Sequence, residues 1–338
     1  MSDQILSGLQ SYYERISPGA HISQVKSINA GWESDVYTFV LESGMQTTPL
    51  RQELVLRIYQ GSAGYNKAAA EFNGMRWLRQ AGYPVPDVFL MERDASPFGQ
   101  PFMVMEKVEG RVLWSFMFSE SSHKRQELIS LFCGLLSRLH TLNWQSFIPP
   151  EKLAEMQQPF FFIDREMERW RYYANQNPDS SFFQVMKWVE QRRSLMGCTR
   201  PAVVHLDLHP GNILIRPDGS PQVIDWTQVE VSDPRFDLAW ALLLIDTQEG
   251  AQWRPVFQAE YERQLGFPVE QLELFDAVAC ARRLFSIYLS IVSGPETLGM
   301  RPGAENKMKE QFNAVRRVYA LLQERTRLAI PEIEQMLG

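Results

Sequence analysis

The segment Val203-Val204-His205-Leu206-Asp207-Leu208-His209-Pro210-Gly211-Asn212-Ile213-Leu214-Ile215 gathers polar side chains between two apolar runs, and Val223-Ile224-Asp225-Trp226 delivers another carboxylate at the end of a third. Apolar runs that end abruptly in polar residues put those residues on short loops with anchored ends, as a rigid active site requires. Asp207, Asn212 and Asp225 offer hard oxygen donors suited to Mg²⁺ shared with substrate phosphates. They also offer a carboxylate that can serve as a proton acceptor. A second chemistry competes for the same residues. His205, Asp207 and His209 alternate, and on a continuous strand they would present three metal-capable groups on one face, as in a hydrolase that activates water on zinc. Pro210 directly after His209 argues against continued strand. That reading also leaves Asn212 and Asp225 without a purpose.

The elements that must position these residues change character along the chain. Residues 5–16 repeat apolar positions at helical spacing, and Ser17-Pro18-Gly19 ends the pattern. Short β-rich runs follow at His21–Ala30, Asp35–Glu42 and Glu53–Tyr59, separated by turn-forming stretches. A helix is expected over Tyr65–Gln80, then strands at Val85–Met91 and Phe102–Val108. Beyond Gly110 the pattern is mainly helical: Lys124–Leu142, Arg165–Ala174, Ser181–Leu195, Phe236–Leu244, Val256–Leu265, Leu272–Val292 and Lys307–Arg327. Short strands interrupt it at Val203–Leu206, Ile213–Ile215 and Gln222–Ile224. The expectation is an α+β chain with a strand-rich domain over residues 1–109 and a helical domain over residues 110–338.

Composition narrows the function. The chain has 338 residues, enough for two cores, with 34 Lys and Arg against 40 Asp and Glu and a net charge of −6. A mildly acidic chain without basic runs is not built to bind nucleic acid. Its longest apolar run, Leu238–Ile245, is far too short for a membrane span. No signal-peptide pattern opens the sequence, and its three cysteines are widely spaced. A reduced, cytoplasmic setting is the expectation.

His205-x-Asp207-x-x-x-x-Asn212 followed by Ile224-Asp225-Trp226 resembles the catalytic and metal-binding pair of the aminoglycoside phosphotransferase family, within the protein-kinase-like fold. The resemblance covers most of the chain and implies two lobes, a small antiparallel sheet with one helix and a mainly helical second lobe. It implies an ATP- or GTP-dependent kinase that moves the γ-phosphoryl group to a small-molecule hydroxyl. Asp207 would be the base, Asn212 and Asp225 would hold Mg²⁺, His205 would brace the loop, and Asp237 would cap backbone amides from a buried helix. In the front lobe, Gly31-Trp32-Glu33-Ser34 resembles a shortened nucleotide loop, with Ser34 near phosphate. Arg57 stands where a phosphate-binding lysine is usual, with Glu71 as its carboxylate partner. Phe102–Gly110 resembles the hinge, where backbone groups near Glu106 and Val108 would meet adenine.

Several residues carry plainer readings. Arg57 and Glu71 also suit a surface ion pair, with Lys67 one turn before Glu71 as competitor. Gly31 and Ser34 also suit a hairpin turn, and Trp226 and Trp240 read as core aromatics. Between Glu230 and Asp276 stand ten acids and three arginines. In the resembled family this region helps form the substrate site, so a cationic, amine-bearing acceptor is expected. A catalytically weak nucleotide-binding module remains the alternative class, because Arg57 replaces lysine and the loop before Ser34 has one glycine.

Overall fold

The computed structural model describes residues 2–28, 34–43, 50–61, 63–93, 97–174, 180–294, 306, 308, 310 and 312–338. Among these, the chain divides into two compact units. One is formed by Met1–Arg111 with Ile213–Thr227, the other by Val112–Asn212, Gln228–Gly294 and the C-terminal residues. The expected break at residues 109 and 110 lies close to this first boundary. Residues 213–227, expected in the second domain, return to the first unit.

The first unit is built on β1 (His21–Ile28), β2 (Ser34–Ser43), β3 (Leu50–Tyr59), β4 (Val88–Glu92) and β5 (Phe102–Glu106), antiparallel in the order β1-β2-β3-β5-β4. Alternation decides which face each residue takes. Tyr37, Phe39, Leu54, Leu56, Ile58, Phe102 and Val104 share a core with Ile5, Leu9, Tyr12 and Tyr13 of α1 (Ser2–Ile16). The intervening positions, Val55, Arg57 and Tyr59, therefore face the other way, where α2 (Gly64–Gln80) brings Glu71. Leu9 and Leu56 are fully buried, each worth about 1.5–3 kcal/mol. Ser34 pairs directly with Tyr59 and so shares the face of Arg57. Gly64 opens α2 so close to the Tyr59 carbonyl that a Cβ there would sit 2.6 Å from its oxygen.

The hairpin of β7 (Ile213–Ile215) and β8 (Pro221–Val223) completes this unit. It turns through Gly219 at φ 85° and is tied to the preceding chain by Val223 N–H donating to the Pro84 carbonyl. Trp226 is fully buried edge-on against Tyr83.

In the second unit, β6 (Ala202–Val204) pairs antiparallel with β9 (Glu230–Ser232). Its helices include α3 (Ser122–His140), α4 (Phe161–Ala174), α5 (Phe182–Arg192), α6 (Pro234–Glu249), α7 (Trp253–Leu265), α8 (Leu272–Val292), α9 (Phe312–Thr326) and α10 (Pro331–Leu337). Asp233 caps α6 by accepting from the Arg235 amide, with Pro234 at the first helical position. No described helix is long and apolar enough to cross a membrane. The small antiparallel sheet and the helical second unit give the α+β, protein-kinase-like class expected from the sequence.

Candidate active site

In the second unit, β6 stops at Val204 instead of running to Leu206, because Leu206 takes a left-handed backbone at φ 62°. Such a conformation in a branched residue persists only where neighbours enforce it. Here Asp237 enforces it. Its carboxylate accepts from His205 N–H at 2.7 Å and Leu206 N–H at 2.8 Å, and meets His140 Nε2 at 3.2 Å. Asp237 is 0% exposed. Burial alone would raise its carboxyl pKa, but hydrogen bonding and charge from His140, with the His205 amide, leave it below the ordinary value.

One helical turn after Asp237, Trp240 donates its indole N–H to Asp207 Oδ1 at 2.7 Å. Asn212 Nδ2 donates to the Asp207 carbonyl at 2.9 Å and lies 3.5 Å from Asp207 Oδ2. The Asp207 side chain is 31% exposed, so it is held at its root and open at its tip. His209 accepts from the Gly211 amide through Nδ1 and packs edge-on against Trp114. A Cβ at residue 211 would meet the His209 ring at 2.7 Å, so a larger residue there would force that ring to shift.

These positions dismantle the zinc alternative. The left-handed turn at Leu206 breaks the alternation, and His205 is 0% exposed. Among the described residues, no group of three His, Cys, Asp or Glu side chains is arranged to hold a metal. Asn212 engages its amide nitrogen with Asp207 and so turns its oxygen away from that contact.

In the first unit, Arg57 is the hub. It donates from Nε to Ser34 Oγ at 2.7 Å, from Nη1 to Glu71 Oε1 at 2.7 Å and from Nη2 to Asp225 Oδ1 at 2.9 Å. Ser34 is 0%, Glu71 1% and Arg57 6% exposed, so the pair is a buried one and not a surface bridge. Tyr59 OH donates to the other Glu71 oxygen at 2.7 Å. Desolvation works against the guanidinium charge, yet Glu71 and Asp225 outweigh it and raise the Arg57 pKa. Asp225 itself sits at φ 68°, a left-handed backbone. Gly31, Trp32 and Glu33 lie outside the described residues.

At the end of β5, Glu106 N–H donates to the Asp87 carbonyl at 2.7 Å, and its side chain pairs with Arg216 at 2.5 Å. An adenine read there would have to use the Glu106 carbonyl and groups near Val108, which lies half-buried beyond the strand.

A family model described as the phosphotransferase enzyme family matches residues 24–274. The chain belongs to that family. The phosphotransferase also resembles, over its length, a Ralstonia eutropha protein provisionally assigned as an aminoglycoside phosphotransferase, with a TM-score of 0.67, 18% identity, and coverage of 97% of this chain and 98% of that one. Choline kinase LicA from Streptococcus pneumoniae aligns at a TM-score of 0.61 and 18% identity, over 94% of this chain and 99% of that one. At these identities the likeness concerns the fold. Among curated relatives, acyl-CoA dehydrogenase family member 11 from Gallus gallus is 25% identical over 243 residues, 69% of this chain and 30% of that protein. The phosphotransferase therefore spans under a third of the length of that relative. The family match places the chain among phosphotransferases, and the solved structures share its fold.

Sequence reading passed over Trp240, Tyr59 and His140 as functional parts. The spacing of three between Asp237 and Trp240, which puts both on one helix face, was the available signal for the first. Four of the ten acids between Glu230 and Asp276 are paired with arginines. Glu230 pairs with Arg165 and Arg169, Asp233 with Arg235, Glu260 with Arg263, and Asp276 with Arg254 and Arg325. Arg165, Arg169 and Arg325 lie outside the counted window, and folding brings them in.

Proposed function

We propose that this phosphotransferase moves the γ-phosphoryl group of ATP or GTP onto a hydroxyl of a small molecule, with Asp207 as the base. The observation that carries the reading is the loop at His205–Asn212: Asp237 fixes its backbone, Trp240 and Asn212 fix the Asp207 carboxylate, and the carboxylate tip stays open. Asp207 would orient the acceptor hydroxyl and take its proton as the oxygen bonds the γ-phosphorus and the nucleoside diphosphate departs. Asn212 and Asp225 would hold Mg²⁺, which when bound neutralises phosphate charge. Arg57 would lend positive charge near phosphate while Glu71 and Ser34 hold it in place. Main-chain groups near Glu106 and Val108 would meet the base.

Solved relatives support the nucleotide half of this reading. One neighbouring structure is aminoglycoside 2′-phosphotransferase IIIa in complex with GDP, and another is LicA in complex with AMP. The test is transfer of label from γ-labelled ATP or GTP to a panel of hydroxyl compounds, with Asp207→Asn as control. The expected loss in that variant is about 10²–10⁴ in turnover. Equal turnover by Asp207→Asn would remove Asp207 from the chemistry. One observation favours the alternative of a nucleotide-binding module with little turnover: Arg57 Nη2 already engages Asp225 Oδ1. Mg²⁺-dependent nucleotide stabilisation without hydrolysis or transfer would support it.

A further inference from the structure

A cavity of about 640 Å³ opens within the second unit, between the end of α3, the chain before β6, the start of α6 and the loop from α7 to α8. Small-molecule sites span about 300–1,000 Å³. Its wall, drawn from the described residues, does not include Asp207, Asn212 or Trp240. Arg235 frames it. The guanidinium grips both oxygens of Asp233 and donates to the carbonyls of Met196 and Gly197 on one side and Glu270 on the other. The protein thereby ties the walls to one another, so binding costs little ordering. The α7–α8 loop also holds Gln271 at φ 59°, a left-handed conformation that persists only where the surroundings impose it.

The wall defines an occupant. Leu195 and Phe267 line the cavity yet are 53% and 38% exposed, so an apolar body is the covering they lack. Arg200, also in the wall, lies with its guanidinium 4.0 Å over the Phe267 ring. Stacking uses the face of the guanidinium and leaves its in-plane N–H groups for a bidentate acceptor. Among the described residues Arg200 makes no ion pair. Of the two wall carboxylates, Asp233 is taken by Arg235, and Glu270 is exposed. The wall also reaches the catalytic loop. Tyr261 and His140 both line the cavity, with the Tyr261 hydroxyl 2.6 Å from His140 Nδ1. His140 Nε2 meets Asp237, which holds the amides of His205 and Leu206.

From this juxtaposition we infer that the cavity is an effector site for a small aromatic carboxylate, whose ring lies against Leu195 and Phe267 and whose carboxylate meets Arg200. A flat ring matches the Phe267 surface, and a planar carboxylate matches the guanidinium fork. An ammonium group brought to Arg200 would meet a like charge. Glu270 is the wall group that would favour a cation, which is why an amine is one arm of the test. A ligand seated on Tyr261 shields a chain of bonds, Tyr261 to His140 to Asp237, that ends at the backbone bearing Asp207. Occupancy is therefore felt at the catalytic loop as slower opening of the His205 and Leu206 amides.

The test uses the full chain and three matched probes, 2-naphthoate, 2-naphthamide and 2-naphthylmethylamine, in calorimetric titration with and without ATP and Mg²⁺. The acid should bind about tenfold or more tighter than the amide or the amine, and nucleotide should not displace it. Arg200→Gln should bring the acid down to the affinity of the amide, and Phe267→Ala should weaken both alike. Both side chains are exposed, so both variants should keep the fold. Hydrogen exchange at the His205 and Leu206 amides should slow when 2-naphthoate is bound. Binding of none of the probes would overturn the inference, as would an amide or amine bound as well as the acid. An acid preference that survives Arg200→Gln, or displacement of the acid by nucleotide, would also overturn it. Binding that leaves the two amides unchanged would overturn the effector role. None of these readouts requires phosphotransfer, so their failure leaves the proposed function standing.

Discussion

Trp240 and Asp237, one turn apart on α6, hold two different parts of the same loop: the indole nitrogen binds Asp207 Oδ1 at 2.7 Å, and the carboxylate binds the amides of His205 and Leu206. One helix thereby sets both the backbone from which Asp207 projects and the rotamer of its carboxylate. The capping of α6 by Asp233 and the pairing of β9 with β6 fix that helix relative to the loop.

Trp240 is therefore a positioning residue. Trp240→Phe keeps an aromatic ring and removes one hydrogen bond to an ionised group, an interaction worth about 1.5–3 kcal/mol. If that bond orients Asp207, kcat should fall about tenfold or more while the nucleotide KM stays put. Steady-state kinetics measure both, and a fall in stability with kcat unchanged would make Trp240 a packing residue only.

Asp237 should matter for folding before it matters for rate. Asp237→Ala leaves two buried amides without their acceptor, and a loss of about 3 kcal/mol or more is expected in denaturant unfolding. Because the folded carboxyl lies below its ordinary 3.8, its stabilisation is complete above that value and fades as pH falls through the depressed one. Unfolding midpoints measured down an acid series should decline more steeply in the parent chain than in Asp237→Asn. Parallel declines would show that Asp237 does not contribute to acid sensitivity.

Much of the architecture was legible in sequence because it depends on period. The switch from alternating apolar residues in β1–β3 to helical spacing beyond Gly110 reports directly which faces are buried. The Leu206 turn was not legible, since a strand-like run of Val203, Val204 and Leu206 carries no mark of a left-handed residue imposed by Asp237, 31 residues on. The acid tally was incomplete for a related reason. Counting charge along the chain assumes that neighbours in sequence are neighbours in space, whereas Glu230 meets its arginines from α4 and Asp276 one of its two from α9. Trp240 was hidden by its chemistry: an indole reads as apolar bulk until a carboxylate is found at its nitrogen.

Arg57 and Glu71 should behave as a coupled pair. Arg57→Ala removes the partner of a carboxylate that is 1% exposed, and a loss of about 3–5 kcal/mol is expected. Glu71→Gln in the Arg57→Ala background should restore part of it, since an amide tolerates burial better than an unpaired charge. Arg57→Lys should fold better than Arg57→Ala, but one ammonium cannot reproduce three directed bonds to Ser34, Glu71 and Asp225, so its nucleotide KM should rise. A double-mutant cycle in thermal unfolding measures the coupling, and additive effects would place Arg57 and Glu71 in independent roles.

Asp225 separates fold from metal most cleanly. Its left-handed backbone is one that asparagine also adopts readily, and an asparagine oxygen can still accept from Arg57 Nη2. Asp225→Asn should therefore fold within about 1 kcal/mol of the parent chain, whereas Asp225→Ala adds backbone strain of about 1 kcal/mol or more. What the asparagine lacks is the negative charge that draws a hard dication. Calorimetric titration of ATP with Mg²⁺ and with a chelator should show a large metal-dependent gain in affinity for the parent chain and almost none for Asp225→Asn. Because the variant keeps its fold, loss of that gain points to metal binding alone, and an undiminished gain would move the metal away from Asp225 altogether.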